Sequence, residues 1–144
     1  MTNGIITILI SDSNIQALAG IKQAANVSEY KVFPLVVTEG TKPPYIVVRT
    51  ISKPPIPCKG TRVSSFQPTA QVSCYCKTFE EALALEAAVI DALDNKSAGT
   101  YNGINISYLR YVDRSEDWIP HNDGVGLFIT SPQFEAQTNE STPT

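Results

Sequence analysis

The stretch SSFQPTAQVSCYCKTFEEALALEAAVIDAL, residues 64–93, decides the fold. Phe66, Ala70, Val72, Cys74 and Cys76 fall on one side of its first half, with Gln67, Thr69, Gln71, Ser73 and Lys77 on the other. Strand side chains point to opposite faces in turn, so the spacing predicts a half-buried strand. The strand runs directly into Thr78, Phe79, Glu80 and Glu81, a capping box in which Thr78 accepts from the Glu81 backbone N–H while Glu81 reaches back. Glu80 and Glu81 also suit the positive end of a helix dipole. Strong helix formers continue through residues 82–93. One strand therefore feeds one helix.

At 100° per residue this helix carries two apolar stripes. Ala82, Leu85, Val89, Ala92 and Leu93 form the first. Phe79, Leu83 and Ile90 form the second, with Glu86 between them. A helix lying on one sheet needs an apolar arc of about 100°, and this one approaches half the circumference. Either another part of the chain or a second subunit covers the surplus. Phe79, Leu83, Glu86 and Ile90 are accordingly the candidate subunit-interface residues of the helix.

Working outward, the chain has 144 residues, enough for one sizeable core. Only 17% of residues are charged and the net charge is -3, with no basic run to grip nucleic acid. The apolar opening, residues 1–10, lacks the basic start of a secretory signal, and no window reaches the length of a membrane span. Three cysteines, Cys58, Cys74 and Cys76, make an odd count that argues against a disulfide framework.

In chain order, residues 3–20 suggest two short helical pieces broken at 11–14. Residues 21–29 show no period. Residues 30–37 suggest a strand that Pro34 confines to an edge or bulge, and 45–51 a central strand. Arg49 interrupts that β-branched run and must emerge at an edge, a pore or an interface. Three prolines, Pro54, Pro55 and Pro57, stiffen the connection at 52–60 around Ile56, which is expected to project as the tip of a hairpin. Residues 104–112 and 125–134 read as closing antiparallel strands joined by a polar link, 113–124. The expected fold is therefore α+β: a single domain over residues 1–135, with a mostly antiparallel sheet of four to five strands packed against one long helix (about 78–94) and short N-terminal helices. A Pro-rich hairpin (about 52–63) projects from it, and a flexible tail, 136–144, follows.

No catalytic, cofactor or metal site is expected. The single histidine, His121, lies in the polar link, and no glycine-rich phosphate loop or nucleophile motif occurs. Cys58, Cys74, Cys76 and His121 could supply a Cys₃His zinc set. The pair at 74 and 76 points into the apolar face of its strand, however, which makes both small buried hydrophobes.

The order of elements carries a resemblance. Lys31-Val-Phe-Pro34 precedes a Gly-Thr-x-Pro-Pro-Tyr turn into Tyr45-Ile-Val-Val-Arg49, and a long hairpin leads to Gln71-Val-Ser-Cys-Tyr-Cys76. Thr78-Phe-Glu-Glu-Ala82 then opens a helix with Leu85, Val89 and Leu93 on its core side. Over residues 3–135 this resembles the tail terminator (tail completion) proteins of long-tailed bacteriophages and phage-like particles. The resemblance implies a homo-oligomeric ring, usually a hexamer, that caps the tail tube, stops its polymerisation and presents a surface to the head connector. It implies a virion protein of the tail or neck, assembled in the bacterial cytoplasm, with the tube and connector proteins as partners. DNA would pass through the lumen unbound, which mild acidity favours. Leu83 and Ile90 depart from the family's polar pattern, which strengthens the case for contact there. Arg49, Pro54, Pro55, Ile56 and Pro57 complete the expected interface. A head–tail joining protein of similar fold, a small-molecule or metal-binding α+β module and a hydrolase are the alternatives.

Overall fold

The computed structural model describes residues 2–12, 15, 31–35, 44–56, 65–94, 99–101, 104–120 and 126–139. In chain order these form α1 (Thr2–Ser11), β1 (Val32–Pro34), β2 (Tyr45–Ser52), β3 (Ser65–Phe66), β4 (Thr69–Cys76), α2 (Phe79–Leu93), β5 (Gly99–Tyr101), β6 (Ile104–Ile119) and β7 (Leu127–Asn139). The strands make one seven-stranded sheet in the order β1-β2-β4-β7-β6-β5, with β3 joined to β7. β1 runs parallel to β2, and the other pairs are antiparallel.

This overturns the expectation of an α+β sheet of four to five strands against one long helix. The described residues are mostly β, a curled mixed sheet with two short helices among them. Three causes account for the difference. β6 continues through the acidic residues expected to form a link, and its residues from Asp113 to Ile119 pair with Gln133 to Leu127. β7 continues to Asn139, beyond the expected end of the ordered domain, with Phe134, Ala136 and Thr138 buried in alternation. The sheet curls because register shifts between Thr50 and Ser52, Ile106 and Tyr108, and Tyr111 and Asp113 add local twist. The second N-terminal helical piece, apart from Ile15, lies outside the described residues.

One face of the sheet holds the core. Val48, Ala70, Val72, Cys74, Leu109, Phe134 and Ala136 share a hydrophobic cluster with Ile5, Ile8 and Leu9 of α1 and with Ala82, Leu85, Val89 and Leu93 of α2. The spacing Ile5, Ile8, Leu9 explains why a β-branched segment becomes helix: it places three apolar side chains on one stripe. Thr2 Oγ1 meets Thr50 Oγ1 at 2.8 Å and ties α1 to β2. Thr78 caps α2, its Oγ1 accepting from the Glu81 N–H at 3.2 Å. At the other end, Asp94 Oδ1 accepts the Tyr111 N–H at 3.0 Å, fastening the helix to β6. Thr130 Oγ1 donates to the Ala82 carbonyl at 3.2 Å beneath the first turn.

The opposite face packs a mixture of apolar and polar side chains, with Val47, Leu127 and Ile129 buried there. Tyr45 and Tyr75 stack with centroids 4.9 Å apart, and the buried Ser73 and Ser131 hydroxyls meet at 3.1 Å.

Replacing Phe134 by Ala should cost about 3–5 kcal/mol, because this fully buried ring is central to the cluster. Thr78→Ala should cost about 1 kcal/mol through loss of the cap. Urea unfolding midpoints measure both. Equal losses at the two positions would contradict the placement of Phe134.

Candidate subunit interface

The structure divides the outer stripe of α2. Ala82, Leu85, Glu86, Ala88, Val89, Ala92 and Leu93 are buried within the chain, and Ile90 packs half-buried against the same core. Phe79 and Leu83 stay 37% and 39% exposed. Phe79 meets its own sheet at Phe128, the rings tilted with centroids 6.0 Å apart. The wide apolar arc is therefore met partly from within, by α1 and the sheet, and Phe79 and Leu83 are left outside.

Glu86 is held by its own chain. Only 6% exposed, it accepts from Arg114 Nε at 2.7 Å and from a terminal guanidinium nitrogen at 3.1 Å. Arg114 also meets Glu116 at 2.7 Å. Hydrogen bonds to Glu86, and secondarily to Glu116, raise the guanidinium pKa further above its ordinary value. This bidentate pair locks the far half of β6 onto α2.

Arg49 emerges on the exposed flank of β2, its guanidinium donating to Gln71 Oε1 at a long 3.4 Å. Pro54 and Pro55 are exposed and Ile56 is half-buried. They form the base of a hairpin: the Ile56 N–H donates to Ser65 O and the Gln67 N–H to Pro54 O, both at 2.9 Å, while Pro55 bridges Phe66. Lys53 Nζ sits 4.5 Å from the centre of the Phe66 ring. Pro57 and the hairpin tip lie outside the described residues, as do Cys58 and His121.

Several exposed side chains on the strands escaped sequence reasoning. Trp118 is 49% exposed, and Ile119, Val112 and Ile51 are also open. The indole leans on Gly126, whose backbone φ of +85° and lack of a Cβ make room for it. The available signal was an aromatic–aliphatic pair, Trp118-Ile119, standing in an otherwise acidic run.

Cys74 and Cys76 are free thiols on the core face. Burial, then the neighbouring Cys76, pushes the Cys74 thiol far up. Burial, then Glu81, pushes Cys76 up to about 12. Among the described residues no group of three or more His, Cys, Asp or Glu side chains could hold a metal ion.

Arg114→Ala should destabilise the fold by about 1–3 kcal/mol, since it strands a buried carboxylate. Arg110→Ala should cost under about 1 kcal/mol, because its contact with Glu135 is long and exposed. Thermal unfolding separates the two, and equal shifts would contradict the locking role. In the native protein at pH 8, alkylation of Cys74 and Cys76 should run on the order of a hundredfold slower than after unfolding, because the raised pKa leaves little thiolate. Mass spectrometry of quenched samples reads this directly.

No family model matches the chain, and no curated protein matches it. Among solved structures it is similar to a chain of the "Virion of native gene transfer agent (GTA) particle", with a TM-score of 0.65 and 16% identity. The likeness covers 94% of this chain and 91% of that one. The chain thus shares its fold with a component of a gene transfer agent virion.

Proposed function

We propose that the chain is a structural virion protein: a tail terminator that forms a ring, caps the tail tube, halts its polymerisation and offers the surface on which the head connector docks. The fold likeness to a virion component, nearly complete along both chains, carries this reading. The element order that resembles tail terminators supports the finer role. So do the exposed Phe79 and Leu83 and the stiff hairpin base at Pro54 and Pro55, which suit repeated contacts in a ring. The copy number taken from the resemblance is six. The tube protein and the connector are its neighbours in the tail or neck of a virion assembled in the bacterial cytoplasm, and DNA passes through the lumen without specific contact. The role is structural rather than enzymatic.

Electron microscopy of the purified protein, alone and with tail tube protein, tests this. Rings that bind one end of the tube and arrest its growth are expected. A protein monomeric at every concentration, with no affinity for tube ends, would contradict the proposal. Rings that bind only connector proteins would instead indicate a head–tail joining role. Leu83→Glu should weaken ring formation while leaving the monomer's melting temperature within a few degrees, because the side chain already faces water.

A further inference from the structure

Charge is segregated along this chain. Residues 40–79 carry Lys42, Arg49, Lys53, Lys59, Arg62 and Lys77 and no acid, whereas residues 80–123 carry nine carboxylates against three cations. The sheet order sets parts of these two segments on opposite flanks: β2 lies on one side, β6 on the other, with β4 and β7 between them. One cross-strand row runs Arg49, Gln71, Gln133, Asp113, so it begins on a cation and ends on an acid. The neutral Gln71 and Gln133 between them keep the two ends apart.

Both flanks are open to the extent of the described residues. Among the described residues, β5 covers the outer edge of β6 only at Ile104 to Ile106, and β1 covers β2 only at Ile46 to Val48. In an antiparallel ladder every second residue turns its N–H and C=O away from the paired strand. Asp113 Oδ1 takes the Arg114 N–H and Asp117 Oδ1 the Trp118 N–H, both at 2.8 Å, so the edge is blunted by its own acids rather than by another strand. Beside these acids stand the exposed Val112, Trp118 and Ile119. The opposite flank matches them in kind, with exposed Ile51, Pro54 and Pro55 beside Arg49 and Lys53. Each flank is an apolar strip set in charge of one prevailing sign, the lone cation of the acidic flank, Arg114, being taken up by Glu86 and Glu116.

We infer that the acidic flank of β6, Asp113 to Ile119, is the docking surface for the basic flank of β2, Arg49 to Pro55, on a second copy of this chain. The contact is heterologous, one patch against a different patch, and such contacts generate rings when the rotation closes. β2 and β6 run in opposite directions, so a copy that continues the sheet sets them antiparallel. This inference rests on the ring reading above and names the surface that would build it.

Charge reversal tests it. Asp113→Lys with Asp117→Lys makes one variant, and Arg49→Glu with Lys53→Glu the other; all four side chains are exposed. Circular dichroism checks that each variant folds, and sedimentation measures assembly. Each variant alone should associate roughly a hundredfold more weakly, through like-charge contact. An equimolar mixture should recover assembly, because reversed then meets reversed and native meets native around the ring. Added salt should weaken the unaltered protein, and its single tryptophan, Trp118, should shift to shorter emission wavelengths on assembly, readouts that need no variant. Assembly of the unaltered protein that ignores both reversals and salt would overturn this surface and leave the ring reading standing. Folded variants that fail to recover on mixing would overturn it too. No assembly of the unaltered protein under any condition would overturn both.

Discussion

Pairing of β7 along both of its edges is the constraint on which the rest of the structure depends. β4 holds one side from Thr69 to Cys76, and β6 holds the other along nearly its whole length. A strand hydrogen-bonded on both sides must bury its side chains on at least one face, and Phe134, Ala136 and Thr130 supply that face to α2 and α1. Because β7 is long, its partner is long as well. β6 therefore runs past the short β5 and past the helix, and its far half becomes a free flank. The open acidic edge is thus a consequence of central pairing.

That flank needs a brace, and the Glu86–Arg114 pair provides it. A bidentate ion pair under the helix fixes the position of β6 where, among the described residues, β7 is its only paired strand. Glu86 at first suggests a gap in an outward stripe, because helix geometry alone places it between Phe79, Leu83 and Ile90. The tertiary partner decides otherwise. A charge among apolar neighbours marks an internal ion pair as readily as an interface, and only the register of β6 distinguishes them.

Much of the chain was legible from its sequence. The alternation of Ala70, Val72, Cys74 and Cys76 and the Thr78 cap located β4 and α2, because each signal is local. Pro34 marked an edge strand, and Arg49 marked an exposed position. The total extent of β structure was not legible. Between Asp113 and Trp118 both faces of β6 carry polar side chains, so no amphipathic period appears, and the segment is a strand only because β7 pairs with it. The end of β7 did alternate, with Phe134, Ala136 and Thr138 inward and Glu135 and Gln137 outward. Its small and polar residues nevertheless gave the composition of a tail. Tertiary pairing overrode weak local preference at both places. Of the expected interface, Phe79, Leu83, Arg49, Pro54 and Pro55 are exposed, while Glu86 and Ile90 are taken up by the chain's own packing.

The account turns on β6 presenting an open edge in the free chain that a second copy closes. Hydrogen exchange of the outward-facing amides of β6, those of Arg114, Glu116 and Trp118, compared before and after assembly, addresses this most directly. The account predicts fast exchange in the isolated chain and strong protection in the assembly, while amides of β7 from Thr130 to Ala136 stay protected in both. Protection of these outward-facing amides already present in the monomer, or unchanged exchange on assembly, would contradict it.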